Sequence, residues 1–507
     1  MIYLTTPIYY PNDRPHVGTA YTTVVADATA RYWRLVGEEV YSVTGTDEHG
    51  LKIALAAESR GMTPQEWVDH IVVGFHEAWG LLDLSFDDFI RTTEPRHYAS
   101  VQTIFRRSLD NGDIYLGEYT GWYCTPCEAY WTELQIAEGN CPDCRRPVEK
   151  RREPSYFFRL SKFREPLLAY YAENPSFIRP ASRRNEVIAF VEGGLNDLSV
   201  SRTSLAWGIP VPGDPAHVIY VWYDALTNYV TGVGFPEGGE RFAAFWPADL
   251  HVVGKDILRF HAVYWPAFLM SAGIAPPRGV FAHGWWTVEG QKMSKSLGNV
   301  VDPYEMVRVY GADAFRYFLL REVPFGSDGD FSRKALVHRV NSELANEFGN
   351  LLNRSLGMLG KYFGGIVPEP GPEAPEDAAL RAQAGHTVTA VLRAMDEVEP
   401  HRALVAVNEQ VKAGNRYVDS TAPWALAKDP GKRGRLASVL YNVLETARAC
   451  TLLSAPFVPG AAQRMWEALA CEGAVGDARF AREGSWGGLR PGATLPKSAV
   501  VFPRIEE

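Results

Sequence analysis

Three groups of residues carry the chemistry of this chain. The first is the loop Pro15-His16-Val17-Gly18-Thr19, which stands before a helical run. Backbone N–H groups at a helix start attract anions, Gly18 allows close approach, and His16 can donate to a phosphoryl oxygen. The second is Lys292-Met293-Ser294-Lys295-Ser296, flanked by Gly290 and Gly298. Taken alone, the first group reads as a capped helix start and the second as a solvated basic turn. Together they suit attack of one anion on another's phosphorus, where lysines, a helix start and a metal ion neutralise developing charge. The third is Cys124-Thr-Pro-Cys127 and Cys141-Pro-Asp-Cys144, two pairs thirteen residues apart. Four thiolates at this spacing close a tetrahedral zinc site with no open position, which makes the metal structural. A disulfide pair or a redox motif are the alternatives. Cys450 and Cys471 stand alone and carry no expected role.

The elements that must position these groups follow from periodicity. Residues 2–6 read as a buried strand and 39–44 as a second, with a helix between Gly18 and Gly37. Helices are expected at 51–60, 64–81, 96–111 and 257–271, and strands at 217–222 and 250–253. Strand–helix–strand order implies a doubly wound parallel sheet, whose ligands lie beyond the carboxyl ends of the strands. From about 333 the pattern is almost purely helical: 333–363, 377–396, 400–416, 432–454 and 459–470, with a Pro-rich loop at 368–377. The expected division is a Rossmann-type catalytic domain in two halves (1–113 and 216–285), an inserted connective domain with the zinc knuckle (114–215), a loop and stem-contact region (286–335) and a C-terminal all-α bundle (336–507).

Composition narrows the classes. The 507 residues carry 51 Lys and Arg against 60 Asp and Glu, a formal charge of −9, so any nucleic-acid contact is local. The longest apolar stretch, 262–274, is too short for a membrane span and contains Pro266. The first residues lack a basic stretch followed by an apolar one. The expectation is a cytoplasmic protein, in keeping with unpaired thiols.

The first two groups resemble the two signature motifs of class I aminoacyl-tRNA synthetases. The second matches in full; the first has Thr19 where that family usually places a second His. The resemblance narrows to methionyl-tRNA synthetases through Thr5-Thr6-Pro7-Ile8-Tyr9-Tyr10, Thr44-Gly45-Thr46-Asp47-Glu48-His49-Gly50, Val221-Trp222-Tyr223-Asp224-Ala225-Leu226 with Tyr229, and Gly254-Lys255-Asp256-Ile257 with His261. It implies ATP- and Mg2+-dependent activation of L-methionine and transfer to elongator and initiator tRNA(Met). It also implies one structural Zn2+ per chain.

By that resemblance His16, Lys292 and Lys295 are catalytic, and Gly18, Thr19, Gly254, Asp256, Ser294 and Ser296 bind the nucleotide. Asp47 takes the substrate ammonium. Ile8, Tyr10, Trp222, Ala225, Tyr229 and His261 form the side-chain pocket. Asn350, Arg354 and Trp424 read the anticodon, and the bundle is its binding domain. A pocket with Trp222 and Tyr229 suits a thioether, which is apolar and favours aromatic contacts. Read singly, Trp222, Tyr229 and His261 are ordinary core residues, Asp47 a helix cap, and Trp424 a buried tryptophan. A ligase joining an amino acid to a small amine or sugar needs no anticodon reader. A noncatalytic RNA-binding protein needs no lysine pair. Related leucine-, isoleucine-, valine- or cysteine-specific enzymes are closer rivals; the first three normally carry a much larger editing insertion, for which about 100 residues leave no room. No appended dimerisation domain is expected after the bundle, and a monomer is the default expectation.

Overall fold

The computed structural model describes residues 1–126, 129–131, 136, 139–142, 144–293, 299–498 and 500–506. Cys127, Ser294, Lys295 and Ser296 lie outside the described residues, and Lys292 is described by its backbone only. The chain forms two compact units. One comprises Met1–Pro15, Tyr41–Glu77 and Phe86–His283; the other comprises His16–Val40, Ala78–Ser85 and Gly284–Glu507.

The first unit is built on a six-stranded sheet in the order Asp88–Arg91, Val40–Thr46, Ile2–Tyr9, Leu250–Gly254, Val280–His283, Ile178–Arg179. Its recorded pairs are parallel, with Leu4 opposite Leu250, His251 opposite Val280 and Gly45 opposite Ile90. The Leu250–Gly254 strand is buried at every position, as a sheet covered on both faces requires. Gly45 is obligatory: a Cβ there would lie 2.0 Å from the Ile90 carbonyl oxygen. The segment 114–215 supplies the edge strand Ile178–Arg179 of this sheet. It also forms a four-stranded antiparallel sheet around the long Ile114–Cys124 and Glu149–Phe158 pair.

Two expectations are corrected here. The run 217–222 is not one strand: the strand is Asp214–Ile219, and Val221–Leu226 is helical. Its aromatic and β-branched residues favour a strand locally, but a fully buried Asp224 anchors the turn, and tertiary packing overrides propensity. The expected helix at 257–271 is broken into a 3-10 turn (Lys255–Ile257), a wide π turn (Phe260–Tyr264) and an α-helix (Trp265–Ser271). Pro266 has no N–H to return to the Ala262 carbonyl. The Tyr171 hydroxyl donates to that carbonyl instead, at 2.7 Å.

The second unit opens with the helix Val17–Val36, closed by Gly37 at φ 103°. Arg316 is fully buried on the helix Ala312–Arg321. It reaches the Asp27 carboxylate at 2.7 Å and donates to the carbonyls of Leu82, Pro456 and Phe457. A buried guanidinium is tolerable only with such complete pairing. A small sheet of Gln291–Lys292, Trp286–Val288 and Gly329–Phe331 follows. Helices then run as expected from Arg333 to Phe363, then Pro375–Asp396, Pro400–Thr421, Arg433–Ser454 and Pro459–Ala468. Among the described residues no helix is long and apolar enough to cross a membrane.

Candidate functional site

In the first unit two neighbouring strands, Ile2–Tyr9 and Val40–Thr46, bring Ile8, Tyr10 and Asp47 to their carboxyl ends. The Asp47 N–H donates to the Tyr9 carbonyl at 2.9 Å, which ties the Asp47 loop to the stretch carrying Ile8 and Tyr10. Asp47 is buried, and its neighbour Glu48 is fully so. The Glu48 carboxylate accepts from the Thr46 and Thr93 hydroxyls and from Arg91 Nε. The Glu48 carbonyl accepts the Trp207 indole N–H at 2.7 Å. These bonds leave the loop little freedom to move away from the strand ends.

Trp222, Ala225, Tyr229 and His261 come together on the turn 221–231 and the π turn. Trp222 stacks on Phe260 with centroids 3.8 Å apart and stands edge-on to His261 at 6.4 Å. Tyr229 Oη lies 2.6 Å from His261 Nε2, and His261 Nδ1 lies 2.9 Å from the Ile257 carbonyl. A carbonyl only accepts, so the ring proton sits on Nδ1. Burial pushes the His261 pKa down to about 4, so the ring is neutral at pH 7. Nε2 must then accept, and Tyr229 donates.

His251 stands behind this pair. Its ring centroid is 4.2 Å from that of Tyr229, and its Nδ1 lies 2.7 Å from Thr5 Oγ1. Burial lowers its pKa well below the ordinary value. The wall is therefore aromatic and uncharged. A charged side chain placed against it would lose hydration without gaining a counter-ion, whereas a thioether would lose nothing.

Gly254 and Asp256, expected at the ribose, are also close. A Cβ on Gly254 would fall 2.5 Å from Asp256 Oδ1.

In the second unit His16 is the N-cap of the helix Val17–Val36. Its Nδ1 accepts from the Gly18 N–H at 3.0 Å, which places the proton of a neutral ring on Nε2, a donor. Thr19 completes a capping box. Its hydroxyl oxygen accepts from the His16 N–H at 2.9 Å, and its proton goes to the His16 carbonyl at 2.6 Å. Thr19 thus holds His16 rather than presenting its hydroxyl proton outward. The Val17 N–H donates to the Val301 carbonyl at 3.1 Å. This bond brings the start of the helix to the segment that follows 294–298. Lys292 lies on a strand paired with Thr287, just before that segment.

Asn350 and Arg354 share the helix Asn350–Phe363. Arg354 lies over the exposed Trp424 ring at 5.4 Å and pairs with Asp419 at 2.7 Å. Asn350 Nδ2 reaches Asn415 Oδ1 at 3.5 Å.

Three of the four expected metal ligands are described. The sulfurs of Cys124, Cys141 and Cys144 lie within 4.8 Å of one another, and those of Cys124 and Cys144 are 3.4 Å apart. A disulfide would put sulfurs about 2.05 Å apart. Tetrahedral zinc with bonds of about 2.3 Å puts them roughly 3.8 Å apart, which the cluster brackets. Val148 and Trp122 pack beside it. The donor set fits a structural zinc ion.

Sequence reasoning alone does not find His49, His97, Asp224, His251, Phe260 and Trp207 as site residues. Asp224 and His49 lie inside segments quoted above for their resemblance, which is the signal they carry. His97 and His251 have none, because their hydrogen-bond partners are more than a hundred positions away.

The family model described as tRNA synthetases class I (M) matches residues 2–152 and 146–356. The model described as the anticodon binding domain of methionyl tRNA ligase matches residues 367–507. A methionine–tRNA ligase of Caldanaerobacter subterraneus subsp. tengcongensis is 52% identical over 505 residues, covering 99% of this chain and 79% of the relative. One from Mesorhizobium japonicum is 49% identical, covering 100% and 98%. The structure of Mycobacterium tuberculosis methionyl-tRNA synthetase in complex with methionyl-adenylate is 47% identical and covers 99% of both chains, with a TM-score of 0.96. The chain belongs to the methionyl-tRNA synthetases, a family of class I tRNA synthetases.

Proposed function

We propose that this chain, a methionine–tRNA ligase, binds L-methionine with its ammonium on Asp47 and its side chain among Ile8, Tyr10, Trp222, Ala225, Tyr229 and His261. The methionine carboxylate attacks the α-phosphorus of ATP, and pyrophosphate leaves. His16, the Gly18 N–H, Thr19 through its cap, Lys292, Lys295, Ser294 and Ser296 hold and neutralise the triphosphate. Gly254 and Asp256 take the ribose. Mg2+ supplies further charge neutralisation on the phosphates when bound. The terminal ribose hydroxyl of elongator or initiator tRNA(Met) then attacks the carbonyl of the methionyl adenylate; the ester forms, the acyl–phosphate bond breaks and AMP leaves. No general base is assigned, because positioning and charge stabilisation carry both steps. Asn350, Arg354 and Trp424 stack on and hydrogen-bond to unpaired anticodon bases. Cys124, Cys127, Cys141 and Cys144 hold one Zn2+. The protein works as a monomer in the cytoplasm, where reduced thiols persist.

The observation that carries this reading is the neutral Tyr229–His261 wall beside Trp222. It takes an uncharged, polarisable side chain. The test is amino-acid-dependent exchange of pyrophosphate into ATP. Methionine should support exchange far better than leucine, isoleucine, valine or cysteine. Faster exchange with any of those would overturn the pocket assignment.

A further inference from the structure

A carboxylate removed from water persists only where donors surround it. Asp224 is fully buried. Its Oδ2 lies 2.7 Å from Nδ1 of His49, and its Oδ1 lies 2.7 Å from Nε2 of His97. Both imidazoles are buried as well. The second nitrogen of each ring meets a hydroxyl at 3.2 Å: Tyr98 for His49, Thr231 for His97. Burial raises the Asp224 carboxyl, but His49 and His97 outweigh it and hold the pKa below the usual range. The group is thus an anion clamped from both sides.

Its position in the chain gives the clamp a consequence. Asp224 lies between Trp222 and Ala225 on one helical turn. His49 lies two residues after Asp47, on the loop that Trp207 and Glu48 already hold. One carboxylate therefore ties the backbone that carries the ammonium ligand to the helix that carries part of the side-chain pocket.

We propose that Asp224, with His49 and His97, is a positioning residue that sets the span between the ammonium end and the thioether end of the substrate site, so that the enzyme reads the length of the amino acid. This rests on the assignment of Asp47, Trp222 and Ala225 as substrate contacts. A carboxamide at 224 accepts one hydrogen bond where the carboxylate accepts two, and its NH2 opposes one imidazole N–H. The loop and the helix then lose their common anchor while the contact residues themselves stay unchanged.

The test uses the full chain in pyrophosphate exchange with three substrates: methionine, S-methylcysteine (one methylene shorter) and ethionine (one carbon longer). Asp224→Asn should raise the KM for methionine about tenfold, the effect of one lost buried hydrogen bond. The KM for ATP and kcat should stay within about twofold. The preference for methionine over both analogues should fall several-fold. His97→Gln keeps the bond to His49 and should show the same pattern at about threefold, which carries the test if Asp224→Asn does not fold. Equal rises in the methionine and ATP KM values, or an unchanged preference among the three amino acids, would overturn the inference. Asp47→Asn separates the two levels. If it leaves the methionine KM unchanged, the Asp47 assignment fails and the inference with it. If it raises that KM while Asp224→Asn does not, the inference alone fails.

Discussion

Tyr229 donates its phenolic proton to Nε2 of His261 across 2.6 Å, and the direction is set four residues upstream by the Ile257 carbonyl, which claims the Nδ1 proton. Tyr229→Phe therefore removes the donor and leaves a buried imidazole nitrogen without one. Such a loss costs about 1–3 kcal/mol. The expected result is a rise in the methionine KM of roughly tenfold with the ATP KM unchanged, read by pyrophosphate exchange. No change would mean the pair does not line the pocket.

Stability should fall on acidification. His251 and His261 are held neutral in the folded chain by burial. In the unfolded chain each takes a proton near pH 6.5. Their contribution is complete above about pH 6.5 and is lost as the pH falls towards 4, where folded His261 begins to titrate. For His261 alone the loss is about 3 kcal/mol. Urea midpoints at pH 7.5, 5.5 and 4.5 measure it. His261→Asn should flatten the profile; an identical slope in both proteins contradicts the assignment.

Gly18→Ala should damage ATP use. The new Cβ would lie 2.8 Å from His16 Cε1 and 3.0 Å from Nδ1, so the ring must turn and lose the Gly18 N–H. The adenylate-forming rate should fall about tenfold or more, since misplacement of a charge-stabilising donor is costly. Lys295→Ala should slow the same step by roughly 10². Single-turnover rates equal to the parent's would remove these residues from the phosphate site.

The thiol cluster should release about one zinc ion per chain when titrated with a mercurial in the presence of a zinc indicator. Cys124→Ser should lower the zinc content and the thermal midpoint together. Protein that keeps its midpoint after the metal is stripped would show that zinc does not support the knuckle.

If the proposed anticodon contacts hold, Arg354→Ala and Trp424→Ala, which break the Arg354–Trp424 pair, should each weaken tRNA charging by about tenfold while leaving pyrophosphate exchange intact. Parallel loss of both activities would indicate a folding defect rather than a lost contact.

Local pattern was enough for much of this protein. The buried strands at the start of the sheet, the helix after Gly18 and the C-terminal helices each rest on periodicity within a short window. The spacing of the cysteine pairs points to a metal, and the types of the two lysines and His16 point to phosphate chemistry. Tertiary structure decided what depends on distant partners. Val221–Leu226 became a helix because Asp224 finds His49 and His97, which are 175 and 127 positions away. The helix over 257–271 opened into a π turn because Tyr171 takes the carbonyl that Pro266 leaves vacant. The charge and tautomer of His261 follow from burial and from two oxygen neighbours, neither of which a one-dimensional pattern displays. Periodicity records which face of an element avoids water; it does not record which polar group waits on the other side.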